Sequence, residues 1–158
     1  MKNLLLILSI FVFASCHAQD FEIEKTDDQW KEELSDEQFD VLCGGATEAP
    51  FTGEYLYNKE EGSYNCAACD NPLFSSDTKY DSGSGWPSFY EQVDKEAIKE
   101  IDDYSYGMKR TEIVCAQCGG HLGHVFDDGP SDKTGMRYCV NSVSLQFESK
   151  TDSTANEE

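Results

Sequence analysis

Gly135-Met136-Arg137-Tyr138-Cys139-Val140-Asn141-Ser142 is the stretch whose reading decides the rest of this chain. Taken as a β-strand, it alternates with a period of two, which puts Arg137, Cys139 and Asn141 on one face and sets a thiol between a cation and an amide. A neighbouring positive charge lowers a thiol's pKa, and an asparagine amide donates hydrogen bonds to a polar substrate. The segment therefore reads as a nucleophile site. A lone cysteine is equally at home as a small, buried, inert hydrophobe. The inventory of the other six cysteines weighs one reading against the other.

The seven cysteines stand at 16, 43, 66, 69, 115, 118 and 139. Cys66-Ala67-Ala68-Cys69 and Cys115-Ala116-Gln117-Cys118 are two C-x-x-C knuckles, and together they make a tetrahedral four-sulfur set suited to one structural zinc ion. In an oxidising compartment the alternatives are disulfides or redox-active pairs, but paired knuckles favour metal. The 45 residues between them exceed the span of a compact zinc ribbon, so the intervening segment forms part of the domain itself. With these four and Cys16, a candidate lipid-bearing residue, set aside, Cys43 and Cys139 are left over. They read as a structural disulfide or as a nucleophile with a resolving partner.

The length of 158 residues predicts one domain with trimmed ends. Residues 1–15 hold one lysine and then an apolar run over 4–14, too short to span a bilayer as a helix and typical of an export signal. Phe13-Ala14-Ser15-Cys16 resembles a bacterial lipoprotein processing site with Cys16 as the lipid-bearing residue; a conventional cut after Ala18 is the alternative. Residues 16–25 are expected to be a spacer. Thr26-Asp27-Asp28-Gln29 and Ser35-Asp36-Glu37-Gln38 both fit the capping box and predict two short helices, the first turning Trp30 and Leu34 inward and the second Phe39 and Leu42. Cys43-Gly44-Gly45 ends the second helix.

Beyond Phe51 helical periodicity fades into short aromatic-rich runs separated by turn residues. Strands are expected at 54–57, 63–65, 73–75, 79–81, 104–114, 123–126, 138–141 and 144–147, with one helical turn from Asp94 to Ile98. The fold class is mainly β over residues 26–148, followed by a disordered acidic tail over 149–158. The net charge is −19, from 31 acidic and 12 basic residues. No basic face can be assembled from that balance, which excludes nucleic acid as a partner.

Read together, Ser82-Gly83-Ser84-Gly85-Trp86-Pro87-Ser88-Phe89, His121-Leu122-Gly123-His124-Val125-Phe126 and Arg137-Tyr138-Cys139-Val140-Asn141-Ser142 resemble the peptide methionine sulfoxide reductases of the B type. Thr47-Glu48-Ala49-Pro50-Phe51-Thr52-Gly53 and Asp128-Gly129-Pro130 fit as well, so the resemblance covers about residues 27–147. It implies two antiparallel β-sheets with short peripheral helices and a four-cysteine zinc site. It also implies reduction of the R epimer of methionine sulfoxide in oxidised proteins or peptides, with a thioredoxin-like reductant.

Carried onto this chain, the resemblance makes Cys139 the catalytic thiol and Arg137, His121, His124 and Asn141 the polar residues around the sulfoxide. Trp86 and Phe126 become the substrate-binding aromatics, and Cys66, Cys69, Cys115 and Cys118 the zinc ligands. Many family members carry their resolving cysteine where this chain has Ser84; others place it before the Thr-Glu motif, where this chain has Cys43. The chemistry suits these residues. Histidine titrates near neutral pH, sulfur packs well on aromatic rings, and a sulfenic acid condenses with a second thiol. The competing reading is a non-catalytic zinc module with a Cys43–Cys139 disulfide, and a third is a general thiol oxidoreductase using a C-x-x-C pair. The expected enzyme is an exported monomer, periplasmic or held at the outer membrane through lipid on Cys16.

Overall fold

Two capping boxes start the first two helices in the computed structural model, which describes residues 21–153. Thr26 accepts from the Gln29 backbone and Gln29 accepts in return, opening α1 (Asp27–Glu33); Ser35 and Gln38 do the same for α2 (Asp36–Leu42). These reciprocal bonds satisfy donors that a seven-residue helix would otherwise leave orphaned. Trp30, Val41 and Leu42 are buried, while Leu34 and Phe39 are half-buried. Cys43 caps α2, and Gly45 follows at φ 68°.

The strands are β1 (Gly62–Cys66), β2 (Pro72–Ser75), β3 (Lys79–Tyr80), β4 (Ser88–Phe89), β5 (Ile98–Asp103), β6 (Arg110–Cys115), β7 (His121–Phe126), β8 (Arg137–Val140) and β9 (Leu145–Ser149). They form a three-stranded sheet ordered β2-β1-β9 and a six-stranded sheet ordered β3-β4-β8-β7-β6-β5. Every pairing is antiparallel.

Register explains why the two sheets stack. Phe74, Tyr64 and Phe147 are directly paired across the small sheet, and Phe89, Tyr138 and Val125 across the large one. Paired residues share a face, so each sheet presents a continuous apolar row. Phe74 stacks on Phe89 with ring centres 4.3 Å apart, and Tyr64 meets Phe89 edge-on at 5.1 Å. These are the offset and T-shaped geometries that aromatic quadrupoles favour.

The neighbouring row of the large sheet points the other way. It runs Tyr80, Ser88, Cys139, His124 and Glu112, one residue from each of β3, β4, β8, β7 and β6. Five strands thus bring two hydroxyls, a thiol, an imidazole and a carboxylate to one line.

Several expectations need correction. Residues 54–57 form turns, because their backbone is satisfied by side chains instead of a ladder: Tyr55 N–H donates to Ser142 Oγ and the Leu56 carbonyl accepts from Lys79 Nζ. The expected strand over 104–114 begins only at Arg110, after a 3-10 turn at Ser105–Gly107. Asp94 does close a turn by accepting from Glu96 N–H, but β5 follows at once, hidden in sequence by Lys99, Glu100, Asp102 and Asp103. The two-residue β4 was also missed.

Residues 21–25, expected as spacer, lie along the second knuckle. Ile23 N–H donates to the Gln117 carbonyl at 2.9 Å, and Lys99 stands over the Phe21 ring. Lys150–Ser153, expected in a disordered tail, forms a last helical turn, α3. The export signal, Cys16 and residues 154–158 lie outside the described residues. Among the described residues no helix is long and apolar enough to cross a membrane.

Candidate active site

Cys139 sits half-buried in β8 beside a pocket of about 130 Å³ lined by Thr47, Trp86, Arg110, Gly123, His124, Phe126, Val140 and Asn141. Its Sγ lies 3.7 Å from Ser84 Oγ. Burial pushes the thiol up, while the Ser84 hydroxyl and then Arg137 pull it back without prevailing. Arg137 thus acts in the expected direction, but burial outweighs it and the thiol is not depressed overall. The guanidinium is engaged by Asp128 through two bonds of 2.7 and 2.9 Å, and it stacks 4.2 Å over the Phe126 ring. Asp128 offsets part of the guanidinium's effect on the thiol, and burial outweighs the rest.

His124 is the cross-strand partner of Cys139. Its Nε2 lies 2.9 Å from Asp103 Oδ2. The carboxylate can only accept, so Nε2 carries the hydrogen and Nδ1 is left as the acceptor nitrogen. Burial pushes the imidazole down and Asp103 pulls it partly back, so His124 is neutral at physiological pH. Asp103 also takes Arg110 Nη2 at 2.7 Å, tying the pocket wall to the histidine.

His121 hydrogen-bonds Glu112 through Nδ1 at 2.6 Å, while its buried Nε2 has no partner among the described residues. An i, i+3 pair on a regular strand would face opposite ways. A register shift between β6 and β7 brings the two rings within 5.7 Å. Gly123 makes the bend possible: at φ 151° a Cβ there would lie 2.1 Å from the Cys139 carbonyl oxygen.

Asn141 lies one residue beyond β8 and is buried. Its Oδ1 accepts from Glu48 N–H and its Nδ2 donates to the Leu122 carbonyl, leaving one amide hydrogen. The Glu48 carboxylate accepts from Ser142 and Val143 N–H at 2.6 and 3.2 Å, and the Glu48 carbonyl accepts from Trp86 Nε1. Glu48 thus pins the indole to the segment after the thiol. Arg110, Asp103, Glu112 and this role of Glu48 escaped sequence reasoning. The one signal available was alternation along β5 and β6, which charged residues disguised.

Cys43 is exposed at the end of α2, four residues before Thr47 of the pocket wall, and its thiol is pushed up by partial burial and by Asp27. Cys43 and Cys139 are both free thiols, so the structure holds no Cys43–Cys139 disulfide.

The knuckles meet as expected. Cys66, Cys69, Cys115 and Cys118 place their sulfurs within 4.8 Å of one another, with 3.7 Å from Cys66 to Cys118 and 3.5 Å from Cys69 to Cys115. A tetrahedron with metal–sulfur bonds of about 2.3 Å has edges of about 3.8 Å, so the four thiols fit one metal ion.

Both knuckles fold alike. Cys66 and Cys115 N–H donate to the carbonyls of Asn71 and Gly120, and the residue after each second cysteine, Asp70 or Gly119, takes a left-handed conformation. Asn71 Nδ2 adds a contact of 3.4 Å to Cys115 Sγ, the outer support that metal thiolates receive.

A model of the SelR domain matches residues 34–149. The chain is 53% identical over 137 residues to the peptide methionine sulfoxide reductase MsrB of Methanosarcina mazei, which covers 87% of this chain and 97% of that protein. It is 56% identical over 128 residues to the protein of the same name from Leptospira interrogans, covering 81% of this chain and 97% of the relative. The Hahella chejuensis protein of that name is 57% identical over 128 residues, covering 81% and 91%.

Proposed function

Because this chain belongs to the SelR-domain family, that of the B-type peptide methionine sulfoxide reductases, we propose that it reduces methionine-(R)-sulfoxide in oxidised proteins with Cys139 as nucleophile. The observation that carries this reading is the line Ser88, Cys139, His124 across three strands, set beside a pocket walled by Trp86 and Phe126. A bare metal module has no chemical use for that alignment.

In the reaction, neutral His124 takes the thiol proton of Cys139 on Nδ1 and the thiolate attacks the sulfoxide sulfur. Oxygen passes to Cys139, which is oxidised by two electrons to a sulfenic acid; the substrate is reduced to the thioether, and the proton ends on the transferred oxygen. The spare amide hydrogen of Asn141 holds the sulfoxide oxygen, and Trp86 and Phe126 hold the methyl group. Arg137, His121 and Glu48 position these groups. The four knuckle cysteines would hold one zinc ion, a structural tie between the ends of β1 and β6 that leaves the redox step to the thiols.

Cys43 resolves the sulfenic acid: its thiol displaces water from Cys139 to give a disulfide, which a thioredoxin-like dithiol reduces. The Gly44-Gly45 hinge that follows lets the exposed thiol swing. After one turnover without reductant, mass spectrometry is expected to find a Cys43–Cys139 disulfide, and in Cys43→Ser a Cys139 sulfenic acid that dimedone captures. An intramolecular disulfide through Cys139 in the Cys43→Ser protein would overturn this assignment. The leader places the work outside the cytoplasm, as a monomer held by lipid on Cys16.

Assay of the separate R and S sulfoxide epimers, with dithiothreitol as donor, tests the function. Turnover of R alone is expected. Equal turnover of S, or none of either by metal-loaded protein, would overturn it.

A further inference from the structure

The nucleophile's own hydrogen-bond partner is a hydroxyl. Ser84 Oγ, 3.7 Å from Cys139 Sγ, accepts from Ser82 Oγ–H at 2.9 Å, and Ser82 Oγ lies 2.7 Å from Ser88 Oγ. Ser88 is fully buried, is paired with Cys139 across β4 and β8, and also lies 3.2 Å from the Trp86 carbonyl. Ser84 N–H donates to Ser82 Oγ, which holds the short loop against its own hydroxyls. Three serines therefore form one connected chain that ends on the reactive sulfur.

Proton counting gives that chain two settings. Each hydroxyl has one hydrogen to donate. With Cys139 as thiol, S–H donates to Ser84, and Ser88 can give its hydrogen to the Trp86 carbonyl. With Cys139 as thiolate, all three hydroxyls can point one way: Ser88 to Ser82, Ser82 to Ser84, Ser84 to sulfur. Aligned hydroxyls polarise one another, so the last bond of such a chain is stronger than an isolated one.

We propose that Ser84, backed by Ser82 and Ser88, is the thiolate-stabilising hydroxyl of this site and shares the role that the sequence assigned to Arg137 alone. The proposal rests on the reading of Cys139 as nucleophile. The other charged or titratable groups around the sulfur do not replace it. Arg137 is shared with Asp128, His124 is bound to Asp103 through Nε2 and serves as the proton acceptor, and Tyr80 at the end of the row is a phenol pushed up by burial. The Ser84 hydrogen bond pulls the Cys139 thiol down alongside Arg137.

The test reads the thiol without substrate. In a metal-loaded Cys43→Ser background, the rate at which iodoacetamide modifies Cys139 is followed against pH by mass spectrometry. Loss of one hydrogen bond to a charged acceptor is expected to move the midpoint of Ser84→Ala upward by about one pH unit. Ser84→Thr, which keeps the hydroxyl, should stay near the parent, and Ser88→Ala should shift less than Ser84→Ala. An unmoved midpoint in Ser84→Ala, or a Ser84→Thr protein that shifts as far, overturns the proposal. Because sulfoxide never enters this measurement, a failure of the reductase reading would appear only in the epimer assay.

Discussion

Cys139→Ser is expected to lower R-sulfoxide turnover by at least about 10³-fold while leaving the fold intact. The substitution changes one atom beside Ser84, in a half-buried position that already tolerates a polar neighbour. The chemical loss is far larger than the structural one. A serine hydroxyl ionises well above a thiol, and transfer of oxygen to it would require an O–O bond in place of a stable sulfenic acid. The thermal midpoint should therefore move by no more than a few degrees while the epimer assay falls to background. Retained R turnover in a folded Cys139→Ser protein would remove Cys139 from the mechanism, and with it the role proposed for Ser84.

Removal of the knuckle metal is expected to cost the most stability of any single change. The four sulfurs join the end of β1 to the end of β6 and the loops after them, segments 45 residues apart in sequence that no covalent bond otherwise connects. Without an ion, four thiols crowded within 4.8 Å must stay protonated or repel one another. Structural zinc supplies folding free energy outright, on the order of 10 kcal/mol apparent in small domains. Here the two-sheet aromatic core shares the load, so a fall in thermal midpoint of about 10 °C or more is expected after chelation, matched by Cys118→Ser. Purified protein should carry one zinc per chain, and four further thiols should become titratable on its release. Acidification acts in the same direction, since protonating the thiolates expels the metal. Metal-free protein with an unchanged midpoint would reduce the knuckles to incidental neighbours.

How much of this was legible in the sequence varies with the range of the interactions involved. The capping boxes at Thr26 and Ser35 were readable because both partners lie within three residues. The strand around Cys139 was readable from its alternation, and the knuckles from their spacing. The short β4 and the charged β5 were not: two residues carry no period, and Lys99, Glu100, Asp102 and Asp103 look like a solvated run until β6 pairs with them. The turns at 54–57 defeated the strand expectation because a lysine and a serine distant in sequence satisfy that backbone.

The site divides along the same line. Sequence alone singled out the candidate residues: the spacing of the two knuckles marked four sulfurs that could hold a metal ion, and the family resemblance marked a thiol, two imidazoles and an indole. Tertiary structure alone decided what each does to its neighbours. It paired Arg137 with Asp128, so that the guanidinium is shared between a carboxylate and the thiol. It set Ser84 against Cys139, gave His124 to Asp103, and used Glu48 to fasten the indole to the segment after Cys139. Burial and hydrogen bonding fall off within a few ångströms, and which groups stand that close depends on strand order and register across the whole sheet.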